Sequence, residues 1–173
     1  MDNSIFSYME FIELIAFFSG YPLIYAVTIL ISDSFSKNRY IGKAGSLLPN
    51  AYALVGTLYL GLQLKKFYPN YSFSNFKQSV FHPWAMAWAL VSLLFWIPAL
   101  ARKKTLSLIH SLFFLYLLIH DLYIQFTQLE IDKHMVKNDM NVYTASLVLN
   151  FCALLVVVFM SSLLTRLRQK NAG

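Results

Sequence analysis

One cysteine, Cys152, occurs in 173 residues, and Asp, Glu, Lys and Arg together make up only 13% of the chain. A lone thiol excludes an intramolecular disulfide, and it excludes a thiolate metal site built from this chain alone. So little charge, about half the quarter typical of soluble domains, excludes an ordinary water-facing surface. Catalytic signatures are scarce as well. There is no glycine-rich phosphate loop, no HExxH, no GxSxG and no pair of aspartates inside two facing apolar blocks, as an intramembrane protease requires. These absences lean away from an enzyme.

Apolar residues are what the chain has in quantity, at 58% of the total. They gather into five blocks, residues 10–32, 47–64, 84–100, 106–127 and 142–164, of about the length that a hydrocarbon core of about 30 Å demands. The pattern predicts an all-α integral membrane protein, a single bundle of about five transmembrane helices. Four spans is the alternative, with the first block lying in the interface or the short third block re-entrant. The first block opens without the basic start and small-residue cleavage site of a signal peptide, so it is expected to persist as a helix. Gly20 and Pro22 inside it predict a kink, because proline removes a backbone hydrogen bond and crowds the preceding turn.

Basic residues set the expected orientation. With five spans, Lys37, Arg39, Lys43, Arg102, Lys103, Lys104, Arg166, Arg168 and Lys170 fall on one side, and Lys65, Lys66, Lys77, Lys133 and Lys137 on the other. The excess places the C-terminus in the cytoplasm and the N-terminus outside. Every acidic residue except Asp33 then belongs to the outer side or the outer half of a span. The basic residues form short clusters at block ends without interleaved aromatics, which argues against nucleic acid as a partner. Between blocks two and three, Phe73, Phe76 and Val80 have the spacing of a short interfacial helix, and Asn70-Tyr71-Ser72 fits a glycosylation sequon.

Polar chemistry concentrates in the fourth block. Tyr116, His120, Tyr123 and Thr127 fall within a sector of about 60°, and Asp121 projects about 100° from His120. Glu10 and Glu13 of the first block, Gln63 of the second and His82 before the third reach the same depth. A polar site opening outward is therefore expected from Glu10, Glu13, Gln63, His82, Tyr116, His120, Asp121 and Tyr123, where a carboxylate beside an imidazole can hold a proton or a ligand. The competing expectation is that His120 and Asp121 sit at the headgroup boundary and merely end the span. Ala53, Thr57 and Gly61 give the second block a small-residue face suited to helix packing, and Asn150 in the fifth is deep enough to want an interhelical hydrogen bond.

Metal and cofactor sites find little support. His110 and His120 are ten residues apart, about 15 Å along a helix and out of phase, so they cannot share an ion. A b-type haem would need a histidine at matching depth on another helix, and spans one, two and five contain none. His110 is expected to be a packed histidine bonded to a backbone carbonyl or a neighbouring hydroxyl. Partners are the lipid bilayer, other helices of the same or another subunit, and a lipophilic ligand if the aromatics Trp84, Trp88, Phe95, Phe113 and Tyr116 line a site. Three functional classes follow in order: a non-enzymatic subunit, scaffold or pore-contributing component; a ligand- or proton/ion-handling protein using the outer polar site; and a membrane enzyme or redox protein with a lipid-soluble substrate.

Overall fold

The computed structural model describes residues 3–34, 39–68, 82–127 and 133–171. The interfacial segment expected around Phe73, Phe76 and Val80, and the sequon at Asn70, lie outside the described residues. All the described elements are helical: α1 (Asn3–Phe18), α2 (Tyr21–Ser34), α3 (Arg39–Phe67), α4 (Pro83–Val91), a 3-10 turn (Ser92–Trp96), α5 (Pro98–Ala101), α6 (Lys104–Thr127) and α7 (Lys133–Asn171). Four stretches are long and apolar enough to cross a membrane, namely Tyr8–Ser32, Ala44–Lys66, Lys104–Thr127 and Met135–Gln169. Composition and length thus suit a membrane protein.

The first of these stretches is broken at Ser19-Gly20 into α1 and α2. Gly20 lies so close to α7 that an added Cβ would meet the backbone of Leu147 and of Ser146 at 2.6 Å. Its N–H donates to Ser146 Oγ at 2.9 Å, and Asn150 Nδ2 donates to the Phe17 carbonyl at 2.9 Å. Backbone groups freed where the helix breaks are thereby satisfied by α7, as burial requires.

The expected third span, 84–100, is divided. Helix α4 tightens into the 3-10 turn at Ser92, and the chain extends at Ile97 (φ −72°, ψ 121°). Pro98 explains the break, since the residue before proline is pushed out of the helical region. Even so, the segment runs the length of α3 in the opposite direction. His82 N–H reaches Glu10, Ser92 packs at Gly56, and Arg102 borders Ser46 and Asn50. A 3-10 turn rises about 2.0 Å per residue against about 1.5 Å in an α-helix, so residues 83–101 cover roughly 30 Å.

Packing is dominated by aromatic rings. Phe18 stacks on Phe114 at 4.7 Å and presents its edge to Tyr52 and Tyr59 at 5.7 and 5.4 Å. Leu14, Leu48, Val55 and Leu154 fill the spaces between them. In lipid, such contacts and interhelical hydrogen bonds carry helix association, because moving apolar surface from tails to protein gains little. Helix α7 contributes Ala153 and Leu154 to this core, while Val148, Phe151, Leu155 and Phe159 stay exposed along its other face.

Candidate functional site

Because α1–α2, α3, α4–α5, α6 and α7 run alternately in opposite directions, the start of α1, the end of α3, the start of α4, the end of α6 and the start of α7 meet at one end of the bundle. Glu10, Glu13, Asp121 and Asp139 lie there, whereas Asp33 falls in the last turn of α2 toward the other end. The opposite end carries Arg102, Lys103, Lys104, Arg166 and Arg168, against Lys65, Lys66 and Lys137 at the acidic end. The charge separation is thus built into the bundle's own ends.

Two polar groups form at the acidic end. In the first, Glu13 on α1 faces Gln63 and Lys66 on α3, and the spacing of three residues puts Gln63 and Lys66 on one helix face. Gln63 Nε2 donates to Glu13 Oε2 at 3.3 Å, and the Lys66 ammonium pairs with the same oxygen. Glu10, one turn earlier and buried, accepts the His82 backbone N–H at 3.0 Å. His82 is the N-cap of α4, so a carboxylate here also meets the positive end of that helix. Tyr59 sits one turn before Gln63, its ring held edge-on by Phe17 and Phe18 at 5.4 Å. The Tyr59 hydroxyl is buried, Gln63 is the side chain placed to bond it, and Glu10 and Glu13 are its charged neighbours.

The second group joins α6 to α7. Gln125 Nε2 donates to Asp121 Oδ2 at 3.3 Å and to Asp139 Oδ2 at 2.5 Å, and both Gln125 and Asp139 are buried. Gln125 Oε1 has no partner among the described residues. Tyr8, at the start of α1, lies close to Asn138, Asp139 and Asp121, so α1 separates the two groups.

The expected site residues therefore divide. Glu10, Glu13, Gln63 and the backbone of His82 come together, and Asp121 turns inward to a different set of partners. Tyr116, His120 and Tyr123 lie on the exposed face of α6, with the Tyr116 and His120 rings 5.9 Å apart. The 100° between His120 and Asp121 separates an outward imidazole from an inward carboxylate. Tyr59, Lys66, Gln125 and Asp139 were not anticipated. Asp121 and Gln125 at i and i+4 carried a readable signal; Asp139 precedes the expected span start at 142 and was masked by that boundary.

Packing positions divide as well. Ala53 is buried, and Asn150 bonds across to α1. Gly61 faces open space, and the close approach on α3 occurs at Gly56, where an added Cβ would lie 2.0 Å from Ser92 Oγ. Mid-bundle, His110 bonds to both the Tyr52 hydroxyl and the Trp88 carbonyl, and Trp88 stacks on its ring at 4.8 Å. Among the described residues no three His, Cys, Asp or Glu side chains gather as a metal site would need. No protein family, curated protein or solved structure matches this chain.

Proposed function

We propose that the chain is a non-enzymatic integral membrane protein that takes up a proton or a small cationic ligand at the acidic end of its bundle. In this reading residues 83–101 form a fifth crossing, the N-terminus and the acidic end face outside, and the basic end faces the cytoplasm, in line with the excess of Lys and Arg there. One observation carries the reading: two carboxylates, Glu10 and Glu13, gather with Gln63 near the buried Tyr59 hydroxyl at one end of the bundle. Ionisable residues within membrane helices mark ion or proton sites more often than scaffolding.

Infrared difference spectroscopy on the reconstituted protein, recorded between acidic and neutral medium, tests this. A protonated-carboxyl band that disappears in Glu10→Gln or Glu13→Gln and is altered in Tyr59→Phe supports uptake at this end. A spectrum indifferent to all three substitutions defeats it.

A second reading, a structural subunit of a larger membrane assembly, is favoured by Gly61. This glycine leaves a bare patch on α3 with nothing within 4 Å of a Cβ position, the kind of surface on which another helix can approach closely.

A further inference from the structure

At the basic end, two cavities meet beside the first half of α3. One, of about 610 Å³, is walled by Leu47 and Leu54 of α3 and by Val157, Met160 and Leu164 of α7, and it reaches Arg168. The other, of about 380 Å³, is bounded by Ser46, Ala101, Arg102 and Lys104. Asn50 and Trp96 line both. The two are neighbours across Asn50 and Trp96, one an apolar arm and the other a basic arm. Trp96 is fixed at the junction by its indole N–H, which donates to Thr57 Oγ1 at 2.9 Å, and Thr57 Oγ1 in turn donates to the Ala53 carbonyl.

We infer that this pair of cavities binds an anionic phospholipid of the surrounding bilayer, with an acyl chain in the apolar arm and the phosphate among Arg168, Arg102 and Lys104. The inference is independent of the acidic-end site and rests on the chain residing in a membrane. Three observations support it. The larger cavity falls within the range of about 300–1,000 Å³ common to ligand pockets. Met160, Leu164 and Val156 are exposed along its rim, so the apolar arm opens sideways, where lipid tails lie. Glu10, Glu13, Asp121 and Asp139 are at the far end of the bundle, and none of the three cations has an ion-pair partner among the described residues. A basic pocket between membrane helices recognises an anionic headgroup through that unbalanced charge. The Asn50 amide, half-buried at the junction and without a hydrogen bond among the described residues, supplies a neutral donor or acceptor to the phosphate or glycerol ester. A zwitterionic lipid brings its own ammonium to the three cations and is disfavoured.

The test uses the full-length protein, delipidated and returned to nanodiscs of phosphatidylcholine with increasing phosphatidylglycerol, with bound lipid counted by native mass spectrometry. Phosphatidylglycerol should be retained about tenfold over phosphatidylcholine, and Arg102→Gln/Arg168→Gln should abolish that preference. Lys65→Gln/Lys137→Gln, which removes the same charge from the opposite end, should leave the preference intact. Met160→Trp fills the apolar arm from its exposed side and should lower occupancy with no change in charge, which keeps the test decisive if the double arginine variant does not fold. Equal retention of the two lipids, unchanged preference in the arginine variant, or unchanged occupancy in the Met160 variant overturns the inference. Displacement of the lipid by free glycerol phosphate also overturns it, in favour of a site for a soluble anion.

Discussion

The Tyr52 hydroxyl lies 2.7 Å from His110 Nδ1 and is the donor of that hydrogen bond. The direction follows from the other ring nitrogen. His110 Nε2 is 2.8 Å from the Trp88 carbonyl, which can only accept, so Nε2 carries the proton and neutral Nδ1 accepts. The Trp88 carbonyl is free for this role because the chain tightens at Ser92, whose N–H turns back to Ala89. A change of helix type thus creates the acceptor that fixes a buried histidine.

Removing one end of this chain of bonds should cost modest stability, because interhelical hydrogen bonds in membrane bundles average about 0.6 kcal/mol and reach about 1.7. Tyr52→Phe should lower unfolding free energy by about 1 kcal/mol in bicelles. His110→Ala, which also strips the ring from between Trp88 and Phe114, should cost about 2–4 kcal/mol. The double variant should cost less than the sum of the two, since they share one bond.

The two close-approach glycines should differ in severity. Gly20→Ala drives a Cβ into the backbone of α7 at Leu147, which cannot move aside, and should block folding or cost more than about 3 kcal/mol. Gly56→Ala meets the Ser92 side chain and should be partly rescued by Ser92→Gly, which removes both contacting atoms. Thermal unfolding of the three variants in one detergent checks the order.

Helix content, four of the five apolar blocks and the kink near Pro22 were legible because bilayer length and proline chemistry act locally on sequence. The division of residues 84–100 was also partly legible in Pro98, whose effect on Ile97 is local. Convergence was not. Glu13 and Gln63 lie fifty residues apart, and periodicity gives the direction of each on its own helix without naming the helix it faces. The same limit hid the inward turn of Asp121 toward Gln125 and Asp139. His120 looked like a member of the site because depth was readable and rotation about the bundle was not.

Tyr59→Phe separates stability from function. Deleting the buried hydroxyl forfeits at most its contact with Gln63, so stability should change by no more than about 1 kcal/mol. Under the proton or ligand reading, uptake at the acidic end should nonetheless change. Calorimetric unfolding and infrared difference spectra of the same sample make the comparison.

Asn150→Leu should loosen the junction between α1 and α2 selectively. It removes the donor to the Phe17 carbonyl while preserving bulk, at a cost of about 1 kcal/mol. Amide hydrogen exchange should accelerate at Ser19 to Ile24 more than along α3.

The most direct measurement is thiol labelling in intact cells with a membrane-impermeant reagent, using single cysteines at Gln63, His82, Ser46 and Ser161 in a Cys152→Ala background. An outward-facing polar site at the acidic end predicts labelling from outside at positions 63 and 82, with 46 and 161 reacting only after the membrane is permeabilised. Labelling at 46 and 161 with protection at 63 and 82 would invert the orientation, and protection of 63 even in permeabilised cells would show that no water reaches the acidic site.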